Sequence, residues 1–474
     1  MKLPMLGYEN IQITPFKLQE LLELKVVRKI NEHTRLSFTG IVPEDQKDSY
    51  VLSVEAKTQI EVNLTGADGS AKPFFKGPVT RVQVKAVRDI YYLQVEAVSY
   101  TYDLDIKVKS RSFQNSGLTY TDLIKRVLAD YPGADFHDTA TKGAQLGGFA
   151  IQYQETDWNF LKRVASQFHA CLIAADFFDR PKLYFGIPEG DLKGELDNYR
   201  YSVRKNFKDY RSSCQNYNSS LQESDFIYYE VETGEILNLG DQVKFQGRLL
   251  YVCEAVSVME DSLLKHIYLL APQGGLSQKP LYNQALAGAS IQGKVLAVAK
   301  DKIRVHLEID REQKPEEAYW FPYASIYTAE GHSGWYCMPE VGDYVRVYFP
   351  DHDLANAVAV SSVRQDTKES ENNKVSNPDI KYFRTKSGKE LMFSPNEIVI
   401  TGKDGEIFIR LHDREGIEIH SKTGIRLSTA SDLMLESAAK VIISAQQEIA
   451  MECQDSKVQL DGSTTIKGYE IKAN

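Results

Sequence analysis

The chain has 474 residues, 27 tyrosines, 20 phenylalanines and a formal net charge of −9. That length predicts about three or four domains, and the aromatic content fits a fold dominated by strands. The acidic balance argues against partners that need a basic surface, nucleic acid and anionic membranes among them, and no apolar run approaches the roughly 18 residues that span a bilayer.

The opening residues Met1–Asn10 lack the apolar stretch of a secretory signal. The expectation is synthesis in the cytoplasm, with any export by another route. Five cysteines, Cys171, Cys214, Cys253, Cys337 and Cys453, are odd in number and never in CxxC spacing. They read as reduced thiols rather than a disulfide frame or a zinc site.

In chain order, residues 1–282 form a mixed, strand-rich unit. Alternation predicts a hairpin of Val79–Val87 and Ile90–Val98, turning at Arg88 and Asp89. Thr121 is placed to cap a helix with the stripe Leu123, Ile124, Val127, Leu128 and Tyr131, which Pro132 and Gly133 stop. Thr156 is placed to cap a second, with the stripe Trp158, Leu161, Val164, Ala165 and Phe168. Both stripes read as core faces. Gly240–Phe245 and Arg248–Val258 predict a second hairpin, turning at Gln246 and Gly247.

Residues 287–365 form a second unit. Short strands are expected at Ser290–Ala299, Lys302–Glu308, Ala318–Pro322, Gly334–Met338, Tyr344–Phe349 and Ala357–Val363, with a turn at Gly342 and Asp343. Strands this short and this many suit a small closed barrel such as an OB-fold. The polar stretch Arg364–Asp379 then reads as a linker, and residues 366–390 as linker and neck.

The remainder, residues 391–474, carries the most informative pattern. Apolar pairs recur every eight residues: Ile417/Ile419, Ile425/Leu427, Leu433/Leu435, Val441/Ile443 and Ile449/Met451. Between them lie Glu418, Arg426, Met434, Ile442 and Ala450, on the opposite face of a strand. Ile398/Ile400, Ile407/Ile409 and Val458/Leu460 flank the run slightly out of step, and Gly405, Gly416 and Gly424 precede strands. Eight residues of strand span only about 26 Å, too little for one chain to enclose its own core. Three identical chains winding together close the prism most simply; a single-chain solenoid with irregular coils is the alternative. About ten strands stacked about 4.8 Å apart make a needle of about 50 Å.

Several polar groupings could carry chemistry. Glu155 and Asp157 could be a catalytic carboxylate pair, but acidic charge at a helix N-terminus is the simpler reading. Asp351, His352 and Asp353 could ligate a metal, yet they sit where a solvated loop is expected. His169 and Cys171 could pair as base and nucleophile only with a third partner, and their place at the end of an apolar helix points to packing. The loop Gly143–Gly148 lacks the lysine and following helix of a phosphate site.

Three segments carry a family resemblance. Gln152–Ala165, with Glu155, Asp157, Leu161 and Arg163, is similar to the acidic–aromatic–leucine–arginine helix of the hub domain in VgrG, the spike of type VI secretion systems. Trp320–Ala324 and Gly334–Val345, with Gly334, Trp335, Pro339, Val341 and Gly342, resemble that family's barrel. Arg384–Leu391 resembles its neck. The order of parts is that of VgrG and of the fused hub and spike of contractile phage tails.

The resemblance implies a mainly β fold: a hub of β-barrels with a few helices, an OB-fold barrel and a C-terminal intertwined triple-stranded β-helix. It implies a homotrimeric, non-enzymatic spike that caps an inner tube, works with baseplate proteins, and touches the target membrane only transiently as it punctures it. In this reading the assembled particle, whether phage tail, bacteriocin or secretion apparatus, ejects the spike to the outside or into a target cell. The ten residues of the five octad pairs are the expected trimer core. Ile466, Tyr469 and Ile471 are the expected contacts to a small capping protein of the PAAR type. Lytic or toxin-bearing members carry an inserted or appended catalytic domain; here the barrel leads to the needle through a short linker and the chain ends at Asn474, so none is expected, nor a cofactor. Some phage needles hold iron through a histidine–x–histidine tip; His412 and His420, eight apart and far from Asn474, give no expectation of a tip metal. A cell-wall hydrolase and a trimeric receptor-binding fibre or adhesin remain the competing readings.

Overall fold

The computed structural model describes residues 6–46, 48–66, 69–190, 192–197, 200–327, 333–363, 377–460, 462–463, 465 and 469–470. They fall into two compact units, residues 1–366 and 367–474. Strands dominate both.

In the first unit, strands Ile11–Thr14, Gln59–Thr65, Ala71–Val87, Ile90–Val98, Arg35–Val42, Glu20–Lys29, Arg248–Glu260 and Leu263–Ala271 are hydrogen-bonded neighbours in that order. A bridge from Gly7 to Leu263, with the Leu264 N–H donating to Leu6 O, joins the two ends of the path. Alternate residues such as Leu24, Val26, Phe38, Val62 and Leu93 point into one core. The strands Arg248–Glu260 and Leu263–Ala271 then run on into a second core. There they pair with Gln242–Phe245 on one side and Ile227–Thr233 on the other, enclosing Val231, Phe245, Val252, Tyr268 and Leu270. This one hairpin gives Met259 and Leu264 to the first core and Val252 and Leu270 to the second, so the two lobes share a spine. Both expected hairpin turns are present. Arg88 and Asp89 have φ of 50° and 64°, and Gln246 and Gly247 have 51° and 71°, the left-handed pairs that match the twist of two-residue hairpins.

A helical layer covers a third core. Helices Tyr120–Leu128 and Asp157–Gln167 bury Leu123, Ile124, Val127, Trp158, Leu161 and Val164, the stripes expected from their spacing. Thr156 caps the second helix by accepting the Asn159 N–H. The first helix is capped by Thr119 instead of Thr121. Thr119 has the extended backbone of a cap residue and accepts the Asp122 N–H at 3.1 Å, while the Thr121 hydroxyl donates to Asp138 at 3.0 Å. Both threonines precede the apolar stripe, and only the backbone decides between them.

The barrel following residue 287 has strands ordered Trp320–Pro322, Lys302–Leu307, Ser290–Ala299, Tyr344–Tyr348 and Val358–Val363. A bridge between Tyr323 and Ala359 brings its ends together. Val295, Ile303, Val305, Phe321, Val345 and Val347 fill it. Gly342, at φ 101°, turns the chain ahead of the fourth strand. The strand expected at Gly334–Met338 is absent. That segment is held by the Trp335 N–H donating to Tyr327 O at 2.7 Å and by two side chains: Ser325 Oγ donates to Trp335 O at 2.5 Å and the Tyr336 hydroxyl to Lys300 O at 2.8 Å.

The second unit opens with an antiparallel meander of Lys381–Arg384, Glu390–Phe393, Glu397–Lys403, Ile407–His412 and Gly416–Ser421. Its first strand lies within the stretch read from sequence as neck. Between Lys422 and Glu448 the described residues of one chain form no strand, although three octad pairs fall there. A hairpin of Ile449–Cys453 and Ser456–Leu460 follows, pairing Ile449 with Leu460 and Met451 with Val458.

Candidate functional site

Asp157 is fully buried, and its carboxylate is held by four side chains. Oδ1 accepts from Arg111 at 2.6 Å and Gln152 at 2.9 Å; Oδ2 accepts from Lys109 at 2.5 Å and the Tyr131 hydroxyl at 2.6 Å. Asp130 closes the cluster by accepting from Lys109 at 2.7 Å, and that ammonium holds the Asp130 carboxyl below its ordinary range. Burial, then the hydrogen bond to Asp157, push the Tyr131 phenol above its usual pKa. Glu155 instead pairs with Arg163 at 2.5 Å, and Arg163 also donates to Ile151 O at 2.6 Å. The two carboxylates therefore do not converge on one substrate position. Each ties a helix to a strand, the buried and paired state in which charge is tolerated. Lys109, Arg111, Tyr131 and Gln152 were not legible as partners: they lie 5 to 48 residues from Asp157 and no local spacing marks them.

The other polar groupings also have structural partners. Burial pushes the Cys171 thiol up to about 12, the opposite of what a nucleophile needs, and the His169 ring bonds to Gln278 O at 2.9 Å. Asp351 accepts from the Asp353 N–H at 2.7 Å and from Asn356 at 2.8 Å, Asp353 accepts from the Ala355 N–H at 3.0 Å, and the His352 ring lies against Tyr282 with centroids 4.1 Å apart. The Gly143–Gly148 loop packs back on its own unit, with Leu146 N–H donating to Leu118 O and Tyr120 N–H to Ala144 O.

A specific joint fastens the barrel to the preceding strands. Asp310 accepts from the Ser112 N–H at 2.6 Å and the Ser112 hydroxyl at 2.5 Å. Gln114 donates to Val305 O at 3.1 Å and accepts from the Tyr319 N–H at 3.1 Å. Phe149 enters the barrel's own core, 5.1 Å from Phe321 and 4.9 Å from Tyr319 between ring centres. Burial raises the Asp310 pKa although Ser112 bonds oppose it.

Two stretches match known families: residues 35–168 the phage tail baseplate hub, and residues 291–363 the type VI secretion system/phage-baseplate injector OB domain. The chain resembles the VgrG-type hub–spike proteins. Its fold is similar to an E. coli protein, c3393, described as a component of the type VI secretion system with structural similarity to the T4 bacteriophage tail proteins gp27 and gp5; identity is 12%, coverage 75% of this chain and 99% of that one, and the TM-score 0.53. It is also similar to a chain of the Francisella PdpA–VgrG complex in its half-lidded form, at 9% identity, 86% and 87% coverage and a TM-score of 0.53. None of the curated proteins matches the chain. The hub match encloses the Asp157 cluster and ends at Phe168, and the OB match encloses the five barrel strands from Ile291 on. The joint at Ser112, Gln114, Asp310 and Tyr319 thus links one matched segment to the other.

The meander of the second unit presents one apolar face. Register aligns Phe383, Leu391, Ile400, Ile409 and Ile419 in one cross-strand row. Phe393, Ile398, Leu411 and Ile417 form a second row two residues away on the same face. All nine are exposed in one chain, from 36% at Leu391 to 73% at Ile417. The opposite face carries Arg410 bonded to Glu397 at 2.5 Å and Glu415 at 2.7 Å, Arg384 bonded to Glu390 at 3.1 Å, and Phe408 stacked on His420 at 5.1 Å. Of these nine, Ile417 and Ile419 belong to the expected core; the sequence reading omitted Phe383, Leu391, Phe393 and Leu411, whose alternation within short strands was its available signal. Ile425, Leu427, Leu433, Leu435, Val441, Ile443 and Met451 are likewise exposed in one chain, and Ile449 is half-buried. Tyr469 is exposed, whereas Ile466 and Ile471 lie outside the described residues.

Proposed function

We propose that the chain is one third of a homotrimeric, non-enzymatic spike of a contractile injection machine. The carrying observation is the nine-residue exposed apolar face of the meander, opposite a mixed face of ion pairs and the half-buried Tyr382, Met392, Val399 and Phe408. A sheet that is apolar on one face must bury it, and the rows climb the sheet at the strand spacing of about 4.8 Å. Three such walls form a closed prism whose interior is these rows. Burial of each half-exposed side chain stabilises the assembly by on the order of 1 kcal/mol.

The octad pairs from Ile417/Ile419 to Ile449/Met451 continue the same core in this reading, and interchain ladders supply strands where one chain makes none. Residues 1–282 are the hub that adapts the threefold needle to an inner tube and baseplate, residues 287–365 the OB collar, 366–390 the linker and neck, and 391–474 the needle. Sheath contraction drives the needle through the target envelope, in transient contact with its membrane. Ile466, Tyr469 and Ile471 meet a PAAR-like tip protein. The particle is assembled in the cytoplasm and ejected from it. Family matches to a baseplate hub and an injector OB domain support the structural role, as do the hydrogen-bond partners of Glu155, Asp157, Asp351 and Asp353 and the burial of Cys171. Electron microscopy of the purified protein is the test: a threefold head bearing one needle is expected, and a thin fibre without a ring-shaped head would overturn the reading.

A further inference from the structure

The outer face of the OB barrel is basic, on a chain whose net charge is −9. Alternation on strand Lys302–Leu307 sends Ile303, Val305 and Leu307 inward and Lys302, Arg304 and His306 outward. Register places Lys294 beside both His306 and Tyr344, and Arg346 beside Gln292. Arg304, Lys294 and Arg346 thus lie on three neighbouring strands and span about 10 Å across them. Lys294, Lys302 and Arg346 are exposed. Among the described residues none of these four cations has a carboxylate partner.

Arg304 is the most informative. Its guanidinium lies 4.6 Å from the centre of the Trp320 ring, and its Nη1 donates to Pro315 O at 2.8 Å. Its Nε–H is buried with no acceptor among the described residues. That Nε–H is out of reach of the outer face, so a ligand there would meet the guanidinium through its remaining Nη hydrogens. Trp320, Tyr344 and Tyr348 add ring surfaces to the same outer face. The Glu308 carboxylate, at the rim, is occupied by Gln292 at 2.6 Å.

We infer that this face is a binding site for an acidic oligosaccharide. Flat rings suit Trp320 and the tyrosines, and carboxylates on those rings suit Arg304, Lys294 and Arg346, with guanidinium–carboxylate pairing the stronger contact. The second and third strands of an OB barrel are its usual surface for oligosaccharides and oligonucleotides. Here those strands carry Lys302, Arg304 and Trp320. The acidic chain as a whole repels a polyanion at long range, which favours a short glycan with spaced charges over nucleic acid. The inference does not depend on the trimer.

The test is calorimetry on the full chain at low salt with three probes: a hyaluronan octasaccharide, which carries a carboxylate on alternate rings, the neutral chitohexaose, and a ten-nucleotide oligothymidylate. The acidic saccharide should bind at least about tenfold more tightly than the neutral one, and Lys294→Glu with Arg346→Glu should weaken it by about tenfold or more. Lys294→Gln with Arg346→Gln, milder changes at exposed positions, should weaken it in the same direction, and Trp320→Ala should do so without changing the salt dependence. Absence of binding, equal affinity for the neutral saccharide, tighter binding of the oligonucleotide, or wild-type affinity in both double variants would each overturn the inference.

Discussion

Replacing Asp157 by asparagine keeps the shape of the side chain and removes its charge from a site with no solvent access. The amide supplies one oxygen where the carboxylate supplied two. Arg111 and Gln152 share Oδ1, while Lys109 and Tyr131 share Oδ2. An amide nitrogen in either position faces two donors. At Oδ2 the Tyr131 hydroxyl can rotate to accept, but Lys109 cannot, and of its two carboxylate partners it retains only Asp130. Breaking one side of a buried ion pair costs about 3–5 kcal/mol, and the remaining Asp130 contact puts this case near the low end, about 3 kcal/mol. For a domain of about 250 residues each kcal/mol lowers the melting temperature by about 2 °C, so a transition of residues 1–282 should fall by roughly 5–6 °C. Glu155→Gln, at a half-buried pair, should lower it much less. Differential scanning calorimetry on the full chain reads both. An unchanged transition in Asp157→Asn, or peptidoglycan turnover that either substitution abolished, would refute the structural assignment.

His266 predicts a pH dependence. Burial depresses its pKa to about 4, and its ring bonds to Ser257 at 2.7 Å. In the unfolded chain it takes a proton near pH 6.5, so stability is full above that value and falls as pH drops from about 6.5 toward 4, by roughly 3 kcal/mol. Denaturant titrations should show that slope, reduced in His266→Gln; an identical slope would exclude His266 as its source. Thiol labelling at pH 8 should spare Cys171 and Cys253, both pushed up to about 12 by burial, and modify exposed Cys337. Cys453 shares the face of Ile449 and Met451, so it should be protected in the assembled protein and react in dissociated chains; equal reactivity in both would contradict the proposed core. Aspartate at both Ile425 and Leu427 puts unpaired charge into all three walls, at several kcal/mol per charge, and should abolish trimer in size-exclusion chromatography. Arg426→Ala should leave it intact, and equal effects would show the two faces are misassigned.

What the sequence made legible was periodicity. Alternation located the Val79–Val98 hairpin and its turn at Arg88 and Asp89, although neither is glycine. Spacing of 3.6 located both helices, and the strand expected at Lys302–Glu308 is present as Lys302–Leu307. Pairing across long separations was not legible. Ser112 and Asp310 are 198 residues apart, and nothing near either marks a joint. The Gly334–Met338 segment misled because its aromatic residues have strand propensity, while Ser325 and Tyr336 fasten it as a loop. The octads gave two faces but not a partner: one chain aligns Phe383 to Ile419 and leaves that face uncovered.

The central claim is that three chains are needed to enclose that face. Light scattering coupled to size exclusion tests it most directly on the full-length protein. The account predicts a mass three times the 53.6 kDa of one chain, unchanged on dilution. A folded species at 53.6 kDa with the needle protected from protease would contradict it.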